Sequence, residues 1–307
     1  MVQTTLKSTV TLKGAGLHSG RPARITLSPA RAGHGIGFYR SDAVAGSRDI
    51  PARWDLTEHV PLCTRLVNAD GVSISTVEHV MAALAGLGVH NAQISVSGPE
   101  VPILDGSAAP FVRAILKVGL RRLNAPLRVL RVMRPVEVRD GDAIARLEPA
   151  GGLRIDFEID FADAAIGRQA LSLDMANGAF VHELCDSRTF CRLSEVEYMR
   201  GRGLALGGTL ENAVVVDGGK VVSPGGLRHA DEPVRHKMLD ALGDLALAGA
   251  PILGLYTGRR AGHTLTNRLL RALFATPGAV EWVDCNDERL RRLPGVGVSL
   301  TDLAAVA

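Results

Sequence analysis

The chain has 307 residues, 46% of them hydrophobic and 22% charged, with a formal net charge of +3. That length exceeds one comfortable core and predicts two units of about 150 residues each, and the composition excludes disorder over most of the chain. So small a net charge, with Lys and Arg interleaved among Asp and Glu, argues against a nucleic-acid or membrane-surface protein.

The opening segment, MVQTTLKSTVTLKG, lacks the apolar core of a secretory signal. A first half-buried strand is predicted where Ala23, Ile25 and Leu27 alternate with polar residues. A helix is then expected to open after a Ser75 or Thr76 cap, with Val77, Val80, Met81 and Leu84 on its buried face. It contains the longest apolar run, Val80 to Val89, which falls short of the roughly 20 residues a membrane helix needs. A strand over Ala92 to Val96 and a helix over Pro110 to Val118 follow. Arg121, Arg122, Arg128, Arg131 and Arg134 then bunch together; they read as a solvated linker face, with a phosphate or anionic-lipid contact as the alternative.

Beyond this point the pattern begins again. Val136 and Val138 alternate as a strand, and Ala145 to Ala150 echoes Arg24 to Ala30. Ile155-Asp-Phe157 likewise echoes Ile36-Gly-Phe38. Val77-Glu78-His79-Val80-Met81 returns as Val234-Arg235-His236-Lys237-Met238, and each run reaches a glycine, Gly86 or Gly243, seven residues after its histidine. A strand over Ile252 to Tyr256 and a helix over Leu265 to Phe274 complete the second copy. The prediction is an α+β fold of two tandem repeats, residues 1–125 and 126–307, divided near Ala125 to Leu127. About 37 extra residues in the second copy are expected within Asp163 to Asp217, either as a packed lid with its own helix and strand or as an apolar passage for an acyl chain.

The two histidine runs carry the chemistry. His236 and Asp240 are four residues apart on a predicted helix, so they share a face. With His79 from the other copy they supply two imidazoles and a carboxylate, a set that binds catalytic zinc and leaves a position open for water. Ferrous iron is also accommodated by such a set. Glu78 beside His79 is placed to act as the base on that water, and the second copy has Arg235 there, as expected of one composite site. His263 after Gly262 can act as an acid or oxyanion stabiliser, or simply be an exposed residue at a helix start; Asp244 can orient it. Lys237 is expected to face elsewhere on its helix, where an ammonium can meet a phosphate. His18, His34, His59, His90, His182 and His229 have no partner at ligand spacing. The four cysteines form no CxxC pair, which fits a reducing compartment; a cytoplasmic protein without a transmembrane segment is expected.

TLKGAGLHSG, STVEHVMAALAGLG, GPEVPILDGSAAPFV, LGGTLENAVVVD and DEPVRHKMLDALGDLALAG, with the late Gly262-His263, resemble the UDP-3-O-acyl-N-acetylglucosamine deacetylases, zinc enzymes of lipid A synthesis in Gram-negative bacteria. The resemblance runs from about Thr5 to Ala275. It implies two β-α-α-β sandwiches with the active site between them and an inserted βαβ-type element in the second. It further implies His79, His236 and Asp240 as zinc ligands, Glu78 as general base, and His263 with its partner Asp244 as acid or oxyanion stabiliser. Thr189 would support the oxyanion, Phe190 would contact the sugar, and Lys237 would bind phosphate. Val196, Ala205, Leu210 and Val215 would line an acyl passage. The implied partner is the UDP-linked acylated glucosamine, acted on by a monomer with no nucleic-acid partner. Two departures stand out: Cys191 replaces a usual glycine after Phe190, and Pro233 replaces a usual Phe before the metal helix. They leave a rival reading, a non-catalytic protein that binds the ligand on the same scaffold.

Overall fold

The computed structural model describes residues 2–44 and 47–302. It is a mixed α/β protein of several sheets and few helices. In the first half come β1 (Val2–Leu6), β2 (Val10–Ala15), β3 (Pro22–Pro29), β4 (Ile36–Arg40) and β5 (Asp49–Pro51). Three short strands follow, β6 (Thr57–Glu58), β7 (Arg65–Val67) and β8 (Ser73–Ser75), and then α1 (Glu78–Gly86), β9 (Ala92–Val96), α2 (Ala109–Val118) and β10 (Leu120–Pro126). Strands β2-β3-β9-β4-β5 form one sheet, antiparallel except where β4 lies parallel to β9. Period-two alternation sets its inner face: Ala23, Ile25 and Leu27 on β3 and Ala92, Ile94 and Val96 on β9 are all buried.

The second half contains β11 (Arg128–Val132), β12 (Val136–Asp140), β13 (Ala143–Glu148), β14 (Leu153–Asp160) and β15 (Arg168–Asp174). After a π-helical turn at Phe180–Leu184 come β16 (Phe190–Arg192), α3 (Leu193–Gly201), β17 (Val214–Asp217) and β18 (Lys220–Val221). The chain ends in α4 (Glu232–Leu245), β19 (Ile252–Arg259), α5 (His263–Ala275), β20 (Val280–Asp284) and α6 (Asp287–Leu290). Pairings run β12 to β13 to β19 antiparallel, β19 to β14 parallel, and β14 to β15 antiparallel. This is the order of orientations found in the first sheet. At the margins β1 pairs antiparallel with β10 as β11 does with β20.

β15 lies inside the stretch assigned to the insertion, yet it pairs with β14 along its whole length. As an edge strand it shows only partial burial at Gln169, Leu171 and Leu173, so its alternation is weak in the sequence. Past Asp174, β16 and β17 are parallel with α3 between them. At the corresponding place the first half has the small antiparallel sheet β6-β7-β8.

α1 packs directly on α4. All of α1 except Ala85 is buried, and the crossing is so close that a Cβ on Gly243 would stand 2.0 Å from the carbonyl oxygen of Glu78. Gly86, its counterpart, gives room to the ring of Phe180. Pro233 occupies the first turn of α4, where a missing N–H costs nothing. The expected Ser75 or Thr76 cap on α1 does not form. The residue before the helix is Val77, without a side-chain cap, and Thr76 has φ of 59° with its hydroxyl donated to Glu100 Oε1 at 3.0 Å. Its left-handed backbone and its place before Val77 turn that hydroxyl toward the buried carboxylate and away from the first N–H groups of the helix.

In the arginine cluster, Arg131 pairs with Glu281 at 2.5 Å and Arg128 stacks over Trp282. Arg121, Arg122 and Arg134 are exposed. Among the described residues no helix is long and apolar enough to cross a membrane.

Candidate active site

Three helices meet at one point. α1 brings Glu78 and His79 in its first turn, α4 brings His236, Asp240 and Asp244 along one face, and α5 opens with His263. One ligand atom each from His79, His236 and Asp240 lies within 4.8 Å of the others. Asp240 Oδ1 is 3.6 Å from His79 Nε2 and 3.4 Å from His236 Nε2, and the two rings meet edge to face.

The donor set fits a metal ion. Asp240 Oδ1 is buried without a hydrogen-bond partner, a costly state unless a cation completes it. Its other oxygen accepts from Lys237 Nζ at 2.9 Å. Burial disfavours charge on Asp240, yet the Lys237 ammonium and the His263 imidazolium hold its carboxyl well below the usual range. Burial pushes the His236 imidazole down to about 4 against the pull of Asp240. The ring is therefore neutral near pH 7, and because Nδ1 faces the Ser187 carbonyl at 3.0 Å, that nitrogen donates and Nε2 keeps its lone pair for a metal.

Glu78 and His263 stand beside this cluster. The Glu78 carboxyl is raised, chiefly by burial, while the neighbouring imidazoles of His263 and His79 act the other way. Its Oε1 lies 3.9 Å from His263 Nε2. Burial opposes charge on His263, but the carboxylates of Asp244, Asp240 and Glu78 outweigh it and raise the imidazole to about 9. Its Nδ1 sits 2.9 Å from Asp244 Oδ2. His263 is thus a half-buried cation, not an exposed residue at a helix start.

A cavity of about 720 Å³ opens over His236, Asp240 and His263. Thr189, Phe190, Lys237, Val196, Ala205, Leu210 and Val215, each singled out from the sequence, all line it. Phe190 also sets its ring edge to face against His236 and Phe161. The backbone of Thr189 is fixed between the halves, its N–H donated to Gly106 O and its carbonyl accepting from Val214 N, both at 2.8 Å. Cys191 is part of β16 opposite Val215 and does not adopt a positive φ, so the position makes no demand for glycine. Lys237 does not face elsewhere on the helix: three residues from Asp240, it reaches that carboxylate.

Three further residues shape the site. His18, which has no partner at ligand spacing in the sequence, is buried at the cavity wall with neither ring nitrogen hydrogen-bonded. Glu100 fixes its loop, accepting from His18 N and Ser19 N at 2.8 Å. Thr64 contacts Glu78 and Asp244 together. The glycine turn before His18 was the available signal for that residue; Thr64 and Glu100 lie in irregular segments without periodicity.

A family model described as UDP-3-O-acyl N-acetylglycosamine deacetylase matches residues 3–275. The UDP-3-O-acyl-N-acetylglucosamine deacetylase of Phenylobacterium zucineum is 49% identical over 279 residues, covering 91% of this chain and 95% of that protein. The proteins of that name from Shewanella sp. strain W3-18-1 and Shewanella violacea are 46% and 45% identical, covering 93% and 94% of this chain and 94% of each relative. By both measures, the chain belongs to the UDP-3-O-acyl N-acetylglycosamine deacetylase family.

Proposed function

We propose that this protein hydrolyses the 2-acetamido group of a UDP-3-O-acyl-N-acetylglucosamine, releasing acetate in lipid A synthesis, with zinc held by His79, His236 and Asp240. The observation that carries the reading is the convergence of His79, His236 and Asp240 with Glu78 and His263, three of which, His236, Asp240 and His263, line one cavity together with Val196, Leu210 and Val215. A bound dication of this kind lowers the pKa of water to about 7 and polarises an amide carbonyl. Ferrous iron suits the same ligands.

The chain's own groups do the rest. Glu78 takes a proton from the attacking water through Oε1. The His263 cation faces the oxyanion as the carbonyl carbon becomes tetrahedral, with the Thr189 hydroxyl alongside. As the C–N bond breaks, His263 gives its proton to the departing amine, and acetate leaves. Phe190 lies against the sugar, and Lys237, with two N–H bonds left beyond the one to Asp240, faces a phosphate. Val196, Ala205, Leu210 and Val215 take the acyl chain. A binding role alone would leave the array of Glu78, His263 and Asp244 without purpose.

We read the fold as two tandem β-α-α-β sandwiches, residues 1–125 and 126–307, with the site between them and the β16-α3-β17 element inserted in the second. The matched order of strand orientations in the two sheets supports this. We further propose that the protein acts as a monomer in the cytoplasm. The test is acetate release from the nucleotide sugar, measured with metal content. Full activity in protein stripped of metal, or in His236→Ala lacking metal, would overturn the proposal.

A further inference from the structure

Thr64 is buried in the loop that leads into β7, directly behind the proposed base and acid. β7 pairs with β8 so that Arg65 lies opposite Ser75, and the Thr64 carbonyl accepts from Val77 N, the residue that precedes α1. The small sheet β6-β7-β8 is thereby tied to the start of the helix that carries Glu78 and His79.

Both donors of Thr64 point at carboxylates. Its N–H donates to Glu78 Oε2 at 3.0 Å, and its hydroxyl donates to Asp244 Oδ1 at 2.5 Å. The direction of the hydroxyl is fixed, because Asn267 Nδ2 donates to the same oxygen at 3.3 Å, leaving the hydrogen for Asp244. Each carboxylate is therefore held by one oxygen and turns the other to the reaction point. Glu78 Oε1 faces His263 Nε2, and Asp244 Oδ2 faces His263 Nδ1. The contacts close a ring: Thr64, Glu78, His263, Asp244 and back to Thr64.

We propose that Thr64 is a positioning residue that sets the general base and the catalytic imidazole in mutual register, its N–H acting on Glu78 and its hydroxyl acting on His263 through Asp244. The inference rests on the roles given above to Glu78 and His263. Loss of the hydroxyl would leave Asp244 free to turn, and His263 would lose the anchor that aims Nε2. Substrate would still bind, since Thr64 does not line the cavity.

The experiment compares Thr64→Val, which keeps the shape and the N–H but not the hydroxyl, with Thr64→Ser, each alone and combined with His263→Ala. Loss of a hydrogen bond to a charged group predicts that Thr64→Val lowers kcat about 10- to 100-fold, with KM and metal content unchanged. Thr64→Ser recovers most of that loss. With His263 already removed, Thr64→Val adds less than about a threefold effect, as two residues acting through one group require. A normal kcat in Thr64→Val, an equal loss in both backgrounds, a change confined to KM, or no recovery in Thr64→Ser overturns the inference. If Thr64→Val does not fold, Thr64→Ala carries the same comparison. Glu78→Gln and His263→Ala assayed alongside separate the two levels: normal turnover in these sinks the assignment of base and acid, whereas their loss beside a normal Thr64→Val sinks only the role of Thr64.

Discussion

Replacing Gly243 by Ala tests whether the crossing of α1 and α4 sets the metal site. In an unobstructed helix interior this change stabilises by about 1 kcal/mol, because glycine loses more backbone entropy on folding. Here the new methyl would stand 2.0 Å from the Glu78 carbonyl oxygen, 2.8 Å from its carbon and 3.1 Å from its Cα. Ordinary contact starts at 3.4 Å, and the obstacle is backbone, so no rotamer change relieves it. The helices must part by about 1 Å, an overpacking that costs about 1–3 kcal/mol. That offsets the propensity gain and leaves a net loss of up to about 2 kcal/mol. The displacement acts between His79 on one helix and His236 and Asp240 on the other, with His79 Nε2 and Asp240 Oδ1 standing 3.6 Å apart across it. A misplacement of about 1 Å at a reacting centre can lower turnover about 100-fold. Urea unfolding of metal-free protein, metal content after dialysis and acetate release together measure these effects. A variant as stable as the parent, fully loaded with metal and with kcat within twofold would refute the argument.

Three other outcomes are expected. Glu78→Gln retains metal and loses about 100- to 10,000-fold in kcat, read from acetate release beside metal analysis; normal turnover would show that the base lies elsewhere. In metal-free protein the His263 imidazole titrates near 9 by NMR. Its folded value exceeds the ordinary 6.5, so its contribution to stability is complete below about pH 6.5 and fades as pH rises through about 9, by about 3 kcal/mol at 1.4 kcal/mol per pH unit. A difference in unfolding free energy between parent and His263→Gln that stays constant from about pH 6 to about pH 10 contradicts this. Leu210→Trp, at a half-exposed position on the cavity wall, raises KM about 10-fold for a long-acyl substrate and leaves an analogue with a truncated acyl group unaffected. Equal effects on both would remove Leu210 from the acyl passage.

The parts of this site that rest on helix periodicity were legible. His236 and Asp240 share a face because they are four residues apart, and the same spacing repeated once more leads to Asp244. The repeated histidine runs pointed to the pairing of α1 with α4, and the repeated glycines now have separate physical reasons, Gly243 against the backbone of Glu78 and Gly86 against Phe180. Lys237 was within reach of the same reasoning, since an i,i+3 pair with Asp240 competes with any outward orientation. Thr76 misled because its hydroxyl goes to Glu100, 24 residues away, a partner that no local cap rule considers. β15 was missed for a similar reason: half-buried alternation at a sheet edge carries little apolar signal.

What the sequence concealed has a common physical form. Four of the functional groups are each tethered through one atom and present the other. Asp240 gives Oδ2 to Lys237 and keeps Oδ1; His236 gives Nδ1 to the Ser187 carbonyl and keeps Nε2. Glu78 gives Oε2 and Asp244 gives Oδ1 to Thr64. A helix places a side chain but leaves its terminal rotation open, and for a carboxylate that rotation decides which oxygen meets the substrate, the metal or the imidazole. Only the tether from Lys237 lies on the same helix at readable spacing. The others come from a carbonyl and a threonine in loops, where any residue type offers the backbone groups and only the folded chain brings them within 3 Å. Helical pattern therefore sufficed to name the groups at the centre, while their aim depends on tertiary contacts, and a substitution at Thr64 should change that aim without changing the composition of the site.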